Sequence, residues 1–372
     1  MKKFIIISLI FLFLYSISLP ASAQNNVSEQ TFESTINSIK TEECPDIESQ
    51  ECRIFNVTIN ERDKKGSSVD VVETLENPDP QNEVLTEGDR IFLQEFQVGE
   101  ELVYVILGPV RNFPLALLAL VFVVVIIGIG RLQGFGSLVG LILSVFVLFG
   151  VTTPMILSGT NPILAGYIGA VIVLASSIFF SHGFNKKSFI ALGSSAAGLL
   201  IISVLTFIFL NLTKLTGFGD DSSLALYAES EKMLDLRGIL FASIIIGGIG
   251  VLDDIAVNQV SAIQQIYLTD KKQDWIELYK KAMVLGRDHI ASLVNTLFIA
   301  YASASMPIVM LLQATNSTFI DIINSDQFAE EIVRAILGSI GLILVVPISS
   351  IIGAIVISKY KVTWKEDHTH VH

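Results

Sequence analysis

Apolar residues gather in seven long runs, at residues 113–130, 137–157, 162–181, 189–211, 238–262, 290–313 and 333–358. At ~1.5 Å per helical residue, each is long enough to cross the ~30 Å hydrocarbon layer of a bilayer. Ahead of them the pattern is different. Residues 1–23 open with Lys2 and Lys3, continue with an apolar stretch from Phe4 to Leu19, and end on Pro20-Ala21-Ser22-Ala23. That is the layout of a signal peptide with an A-x-A cleavage site. The alternative is an uncleaved anchor.

Between the leader and the first run, residues 24–50 are polar and are expected to be a disordered exported segment. Residues 51–108 alternate apolar and polar positions in four strand-like runs: Arg53–Asn60, Ser68–Leu75, Asp89–Phe96 and Glu101–Leu107. Lys64-Lys65-Gly66 and Glu87-Gly88-Asp89 supply turns, and Pro78 and Pro80 mark a loop. The pattern predicts a small exported β domain, a barrel or a sandwich. The fold class is therefore an all-α polytopic membrane bundle of about seven transmembrane helices, residues 113–358, with a small exported N-terminal β-rich domain.

Composition sharpens this reading. The 372 residues are 51% hydrophobic and 16% charged, with mean hydropathy +0.63, which excludes an ordinary soluble protein. The net charge of −12 is unevenly spread, because residues 24–108 hold 6 Lys/Arg against 19 Asp/Glu. The acidity belongs to the exported segment, and the even balance elsewhere argues against a nucleic-acid partner. The two cysteines, Cys44 and Cys52, both lie there, so a disulfide is the candidate pairing, with two free thiols as the alternative. No thiolate metal site or cysteine nucleophile can exist in the membrane.

Orientation follows from the loops. With the β domain outside, the inward connections and the tail at 359–372 carry eleven Lys/Arg: Arg131, Lys186, Lys187, Lys271, Lys272, Lys280, Lys281, Arg287, Lys359, Lys361 and Lys365. The outward ones carry four: Lys214, Lys232, Arg237 and Arg334. The expected location is the cytoplasmic membrane, with an extracytoplasmic N-terminal domain and a cytoplasmic C-terminus. The connection 266–289, with Trp275, Ile276 and Tyr279 among lysines, reads as an amphipathic segment on the inner surface. His368, His370 and His372 alternate in the tail and read as solvated residues, not metal ligands.

The fifth run holds residues that hydrocarbon disfavours. Gly247-Gly248-Ile249-Gly250 precedes Asp253-Asp254, Asn258 and Gln259. A charge at membrane depth costs roughly 2.5–3.5 kcal/mol on insertion scales, so such residues face a protein interior or a water-filled cavity. Gly247, Gly250, Asp254, Asn258, Ser261 and Gln265 recur every three or four residues and share one helix face. Asp253 and Asp254 lie ~100° apart around the axis and cannot face each other. The glycines are either a helix break, with an aspartate capping the second half, or a close-packing surface.

The sixth run begins with Arg287, Asp288 and His289, followed by Ser292, Asn295 and Thr296. Asp288, Ser292 and Asn295 share a face. Arg287 is the expected charge partner of one aspartate, with His289 beside it. Polar glue between spans is the competing structural account. Further on, Ala300 to Pro307 is rich in small residues, and Pro307 loosens the helix, as a hinge or simply within close packing.

Two stretches, GGIGVLDDIAVNQVSAI at 247–263 and GRDHIASLVNTLFIAYASASMP at 286–307, resemble the YibE/F family of bacterial integral membrane proteins. The Gly88-Asp89 turn before the first run also matches, and the likeness covers about residues 50–360. The resemblance implies several transmembrane helices and a suspected permease role, with substrate and mechanism undefined.

The expected activity is secondary transport of a small solute or ion. Asp253 and Asp254 would bind the ion or proton, with Asn258, Gln259, Asp288 and Asn295 lining the path. Absence of a G-x-x-x-x-G-K-[ST] motif removes ATP hydrolysis by this chain. An intramembrane aspartyl protease fits badly, because Arg287 and His289 crowd Asp288. The chain is therefore read as no enzyme, and the residues call for no cofactor. A non-transporting scaffold, or a module whose β domain binds a partner, is the rival. The bilayer, the unknown solute or cation and a second copy of the chain are the expected partners.

Overall fold

A computed structural model describes residues 30–44, 51–74, 82, 84–98, 101–230, 234–315 and 317–361. The leader, the Pro78–Pro80 loop, Lys232 and the histidine-bearing tail lie outside the described residues. The chain divides into two compact units at Val124–Val125.

The first unit holds five antiparallel strands: β1 Gln30–Glu43, β2 Glu51–Ile59, β3 Ser68–Thr74, β4 Arg90–Val98 and β5 Glu101–Pro109. Their order is β3-β2-β1-β4-β5, and the edge strands β3 and β5 approach one another, so the sheet curls towards a small barrel. Phe32, Ile36, Phe55, Val57, Ile59, Ile91 and Leu93 fill its interior. Four strands fall within two residues of their expected bounds.

The stretch expected to be disordered is a correction: residues 30–43 of it form the central strand. Only alternate positions of β1 turn inward, notably Phe32, Ser34 and Ile36, so a polar average conceals a period of two. Both expected turns carry glycines with positive φ, 89° at Gly66 and 90° at Gly88, which other residues adopt at a cost. Cys44 and Cys52 are bonded across the end of the β1–β2 hairpin. Lys64, half-buried, donates to Glu95 Oε2 and to Tyr104 Oη, the latter at 3.1 Å.

Helices follow: α1 Asn112–Val147, a π-turn Leu148–Thr152, α2 Thr153–Leu157, α3 Pro162–His182, α4 Lys186–Leu212, α5 Asp221–Glu229, α6 Leu236–Thr269, α7 Trp275–Ala304, α8 Met306–Ala314, α9 Phe319–Asn324 and α10 Asp326–Tyr360. Four of the long helices start on Asn or Asp caps. Asn161, Asn185, Asp235 and Asp274 each accept a backbone N–H from the first turn of α3, α4, α6 and α7.

Five helical stretches are long and apolar enough to cross a membrane, namely Asn112–Leu157, α3, α4, α6 and α10, and α7 with α8 makes a sixth if the bent pair is one span. They mark a multi-pass membrane protein. The expected runs 113–130 and 137–157 lie within one helical stretch, interrupted at Arg131 (φ 51°, ψ −129°). A Cβ on Gly134 would stand 2.3 Å from the Ile126 carbonyl oxygen, so the chain bends sharply there.

The second break lies between α7 and α8, which meet at 51° where Pro307 removes a backbone donor. The Gly247–Gly250 stretch, the other candidate break, sits inside an unbroken α6. Its neighbours are α3, α4, α7 and α10.

Candidate membrane-embedded polar site

α6 is the most enclosed of the spans, packed by α3, α4, α7 and α10. Ile244, Ile245, Ile249, Leu252, Ile255, Ala256, Val257 and Val260 are all buried. One stripe escapes this cover. Gly247, Gly250, Asp254, Asn258 and Gln265 are exposed, and Ser261 is half-buried. This is the face that helical spacing singles out.

Its chemistry sets it apart from lipid-facing surfaces of the same bundle. The uncovered residues of α4 include Phe189, Leu200, Val204, Phe207 and Ile208. Those of α3 include Leu164, Val171 and Phe180. Between Gly247 and Gln265 the α6 stripe carries no large apolar side chain; the exposed Leu268 follows one turn later, near the end of the helix. Apolar groups gain from contact with lipid tails, and a carboxylate and amides at mid-span do not. Asp254 lies ~27 Å from the N-terminal start of α6 and ~23 Å from its C-terminal end at 1.5 Å per residue.

The neighbouring aspartate does something else. Asp253 is buried, its Oδ2 accepts the hydroxyl of Ser177 on α3, and its Oδ1 accepts the Asp254 N–H at 2.9 Å. Ser195 on α4 donates to the Leu252 carbonyl at 3.2 Å, bracing α6 from a second side. Gln259 is buried too. Its Nε2 donates to the Ala282 carbonyl of α7 and to Ser350 Oγ of α10, both at 2.8 Å. Asp253 and Gln259 therefore tie α6 to its neighbours, while Asp254 and Asn258 stay open.

The glycines divide similarly. A Cβ on Gly248 would touch Ile202 at 3.4 Å, whereas Gly250 has open space. Gly247 looks towards the hydroxyl of Tyr301 on α7, 3.6 Å from its Cβ position. Tyr301 also feels the Glu331–Arg334 ion pair of α10. So the stripe runs from Gln265 through Asn258 and Asp254 to a tyrosine hydroxyl near Gly247.

The residues expected from the sixth run fall elsewhere. α7 packs through Leu278, Ala282 and Gly286, continued by Ile290, Leu293, Leu297 and Tyr301. Asp288 and Asn295 are exposed and lie some 160–200° round the helix from Gly286. They do not join the α6 stripe. Arg287 and His289 are exposed, and among the described residues Arg287 makes no ion pair with Asp253 or Asp254. The antiparallel pairing explains this. A Cβ on Gly286 would stand 3.1 Å from Gln259 Nε2, which sets Arg287 about 6 Å from Asp254 along the axis, towards the C-terminal end of α6.

Ser177, Ser350 and Tyr301 were not legible as site residues. The serines sit in apolar runs of α3 and α10, and only the fold shows which helix each one meets. Pro347 also passes inside α10 without interrupting it.

A family model described as YibE/F-like protein matches residues 118–359, which include every residue of the α6 stripe. Comparison with curated proteins and with solved structures finds no match.

Proposed function

We propose that this chain, which belongs to the YibE/F-like family, is a secondary permease of the cytoplasmic membrane that moves a small solute or ion. Asp254 is the cation- or proton-binding group, and Asn258 extends its path. One observation carries the reading: between Gly247 and Gln265 the uncovered stripe on the most enclosed span is polar, while the uncovered faces of its neighbours α3 and α4 are apolar. A water-filled path accounts for that contrast, and lipid does not.

The finer topology belongs to the same proposal. The break at Arg131 separates residues 113–130 and 137–157 into two spans, and α7 with α8 forms one, which makes seven. The β domain lies outside, preceded by a signal peptide at 1–23, and the C-terminus lies inside. The Cys44–Cys52 bond supports export, because disulfides persist in oxidising compartments.

The test is thermal unfolding in detergent across a series of Na⁺, K⁺ and proton concentrations. It compares the parent protein with Asp253→Asn and Asp254→Asn. A bound cation stabilises the folded protein by mass action, roughly 2.7 kcal/mol at a hundred times its dissociation constant. The cation- or pH-dependent shift should survive in Asp253→Asn and vanish in Asp254→Asn. Equal shifts in all three proteins would remove the carboxylate site.

A second reading has its own observation. The Ser177–Asp253 and Gln259–Ser350 bonds show polar residues holding helices together, as in a non-transporting scaffold. That reading requires Asp254→Asn to leave ion response and function unchanged.

A further inference from the structure

The outward face of the β4–β5 hairpin is apolar. Ile91, Leu93, Glu95, Ile106 and Gly108 turn inward, which leaves Phe92, Gln94, Phe96, Val103, Val105 and Leu107 pointing out. None of these six is charged, although residues 24–108 hold 19 Asp/Glu. Val103, Val105 and Leu107 are 42%, 43% and 47% exposed, and Phe92 and Phe96 are half-buried beside them. Pairing sets Phe96 against Val103 and Phe92 against Gly108, so the apolar side chains form one patch.

The other side of the domain has the opposite character. On β1, β2 and β3 the outward side chains Asn37, Asn56, Thr58, Ser68 and Asp70 bond to one another at 2.7–3.0 Å. Among the described residues of those strands, Val72 is the one exposed large apolar side chain.

We infer that the β4–β5 face rests on the lipid surface at the N-terminal end of α1, with Val103, Val105 and Leu107 among the headgroups and upper acyl chains. The inference needs α1 to be a span and is independent of transport.

Three observations select lipid as the cover. First, the tether is short. β5 ends at Pro109 and α1 begins at Asn112, and both belong to the same compact unit. Second, the apolar surface continues across the junction. Every residue from 111 to 122 is exposed, including Phe113, Leu115, Leu117 and Leu118, so the bilayer that covers the start of α1 begins where the patch ends. Third, cations stand at the headgroup level. Arg111 and Arg90, the latter also paired with Glu33, are exposed at the α1 end of the hairpin, where the Val110 N–H donates to the Arg90 carbonyl at 2.8 Å.

The hydrophobic effect then sets the orientation. At ~3.3 Å per residue, an upright β5 would hold Val103 ~30 Å from Asn112 and leave the patch in water. A β5 laid along the surface removes the patch from water, and that area decides between the two.

Site-directed fluorescence on the full chain in phosphatidylcholine vesicles tests this. Cys44 and Cys52 are bonded to each other, so the parent protein takes up no thiol label. A bimane on Val103→Cys, Val105→Cys or Leu107→Cys should emit at shorter wavelength than one on Ser68→Cys or Val72→Cys. It should also lose fluorescence when the lipid carries a nitroxide near the carbonyl end of its acyl chain. The labels at 68 and 72 should respond instead to iodide in the buffer. Labels that respond alike at all five positions would overturn the inference. So would labels on the β5 face shielded from both quenchers, because a protein surface would then cover it.

A second measurement separates attraction from tethering. Val105→Asp with Leu107→Asp places two carboxylates on the face. A Val103→Cys label in that background should lose its lipid quenching and gain iodide quenching. Unchanged lipid quenching would show that the apolar side chains do not hold the face down, and it too overturns the inference.

Discussion

Ser177 on α3 donates its hydroxyl to the buried carboxylate of Asp253 on α6, while Asp254, one residue further on, is uncovered. Two adjacent acids thus have separate tasks. A charged acceptor that loses a hydrogen bond inside the bundle forfeits roughly 1.5–3 kcal/mol. Ser177→Ala should therefore lower the thermal midpoint in detergent by several degrees. Asp254→Asn should leave that midpoint within about a degree in the absence of added cation, because no partner is lost. A fragile Asp254→Asn and a robust Ser177→Ala would reverse the assignment.

Gln259 ties three helices with one amide nitrogen, which donates to the Ala282 carbonyl and to Ser350 Oγ. Gln259→Glu keeps the shape but turns an ionised oxygen towards a carbonyl that needs a donor. The penalty should exceed that of Gln259→Leu, which removes the donor without adding charge. Both should cost stability, at about 1–3 kcal/mol for Leu. Fluorescence-detected size-exclusion after heating ranks the two, and a Glu variant as stable as the parent would contradict this geometry.

Much of this architecture is legible in the residues, and the rest is hidden for two physical reasons. Apolar run length exposes the spans, and a period of two exposes β2 to β5. Helical spacing identifies the α6 stripe, and the ~100° between Asp253 and Asp254 already separates their surroundings. Periodicity gives a face but not its neighbour. It cannot show that Ser177 meets Asp253, or that Asn295 turns away from α6. β1 escaped notice because three inward positions among fourteen residues barely change the local hydropathy.

Glycine packing gives a further test, because the sequence draws the eye to the wrong glycine. A Cβ at Gly250 meets nothing within 4 Å, whereas one at Gly166 on α3 would stand 2.4 Å from Ala242 Cβ and 3.0 Å from its Cα. Helix backbone cannot yield as a side-chain tip can. Gly166→Ala should destabilise by roughly 1–3 kcal/mol, the usual cost of overpacking. Gly250→Ala should be neutral or stabilising by up to about 1 kcal/mol, since Ala favours the helix. Thermal midpoints of the two variants settle the order.

The N-terminal β domain carries its own pH signature. Burial pushes the Glu95 carboxyl up, but hydrogen bonds from Lys64 and Tyr104 outweigh it and hold the group below the ordinary glutamate range. The Glu95 bond in turn holds Lys64 above the ordinary lysine range. A depressed acid stabilises the fold above its unfolded value and loses that contribution as pH falls below about 4. A raised base stabilises below its unfolded value and loses its contribution as pH climbs past about 10.5. The domain should thus be flat in stability between these limits on account of this pair, and fall away on both sides. Lys64→Met with Glu95→Gln should flatten both flanks, as read by tyrosine fluorescence or circular dichroism of the full chain in detergent across pH. Retention of the acid flank in the double variant would show that other carboxylates set it.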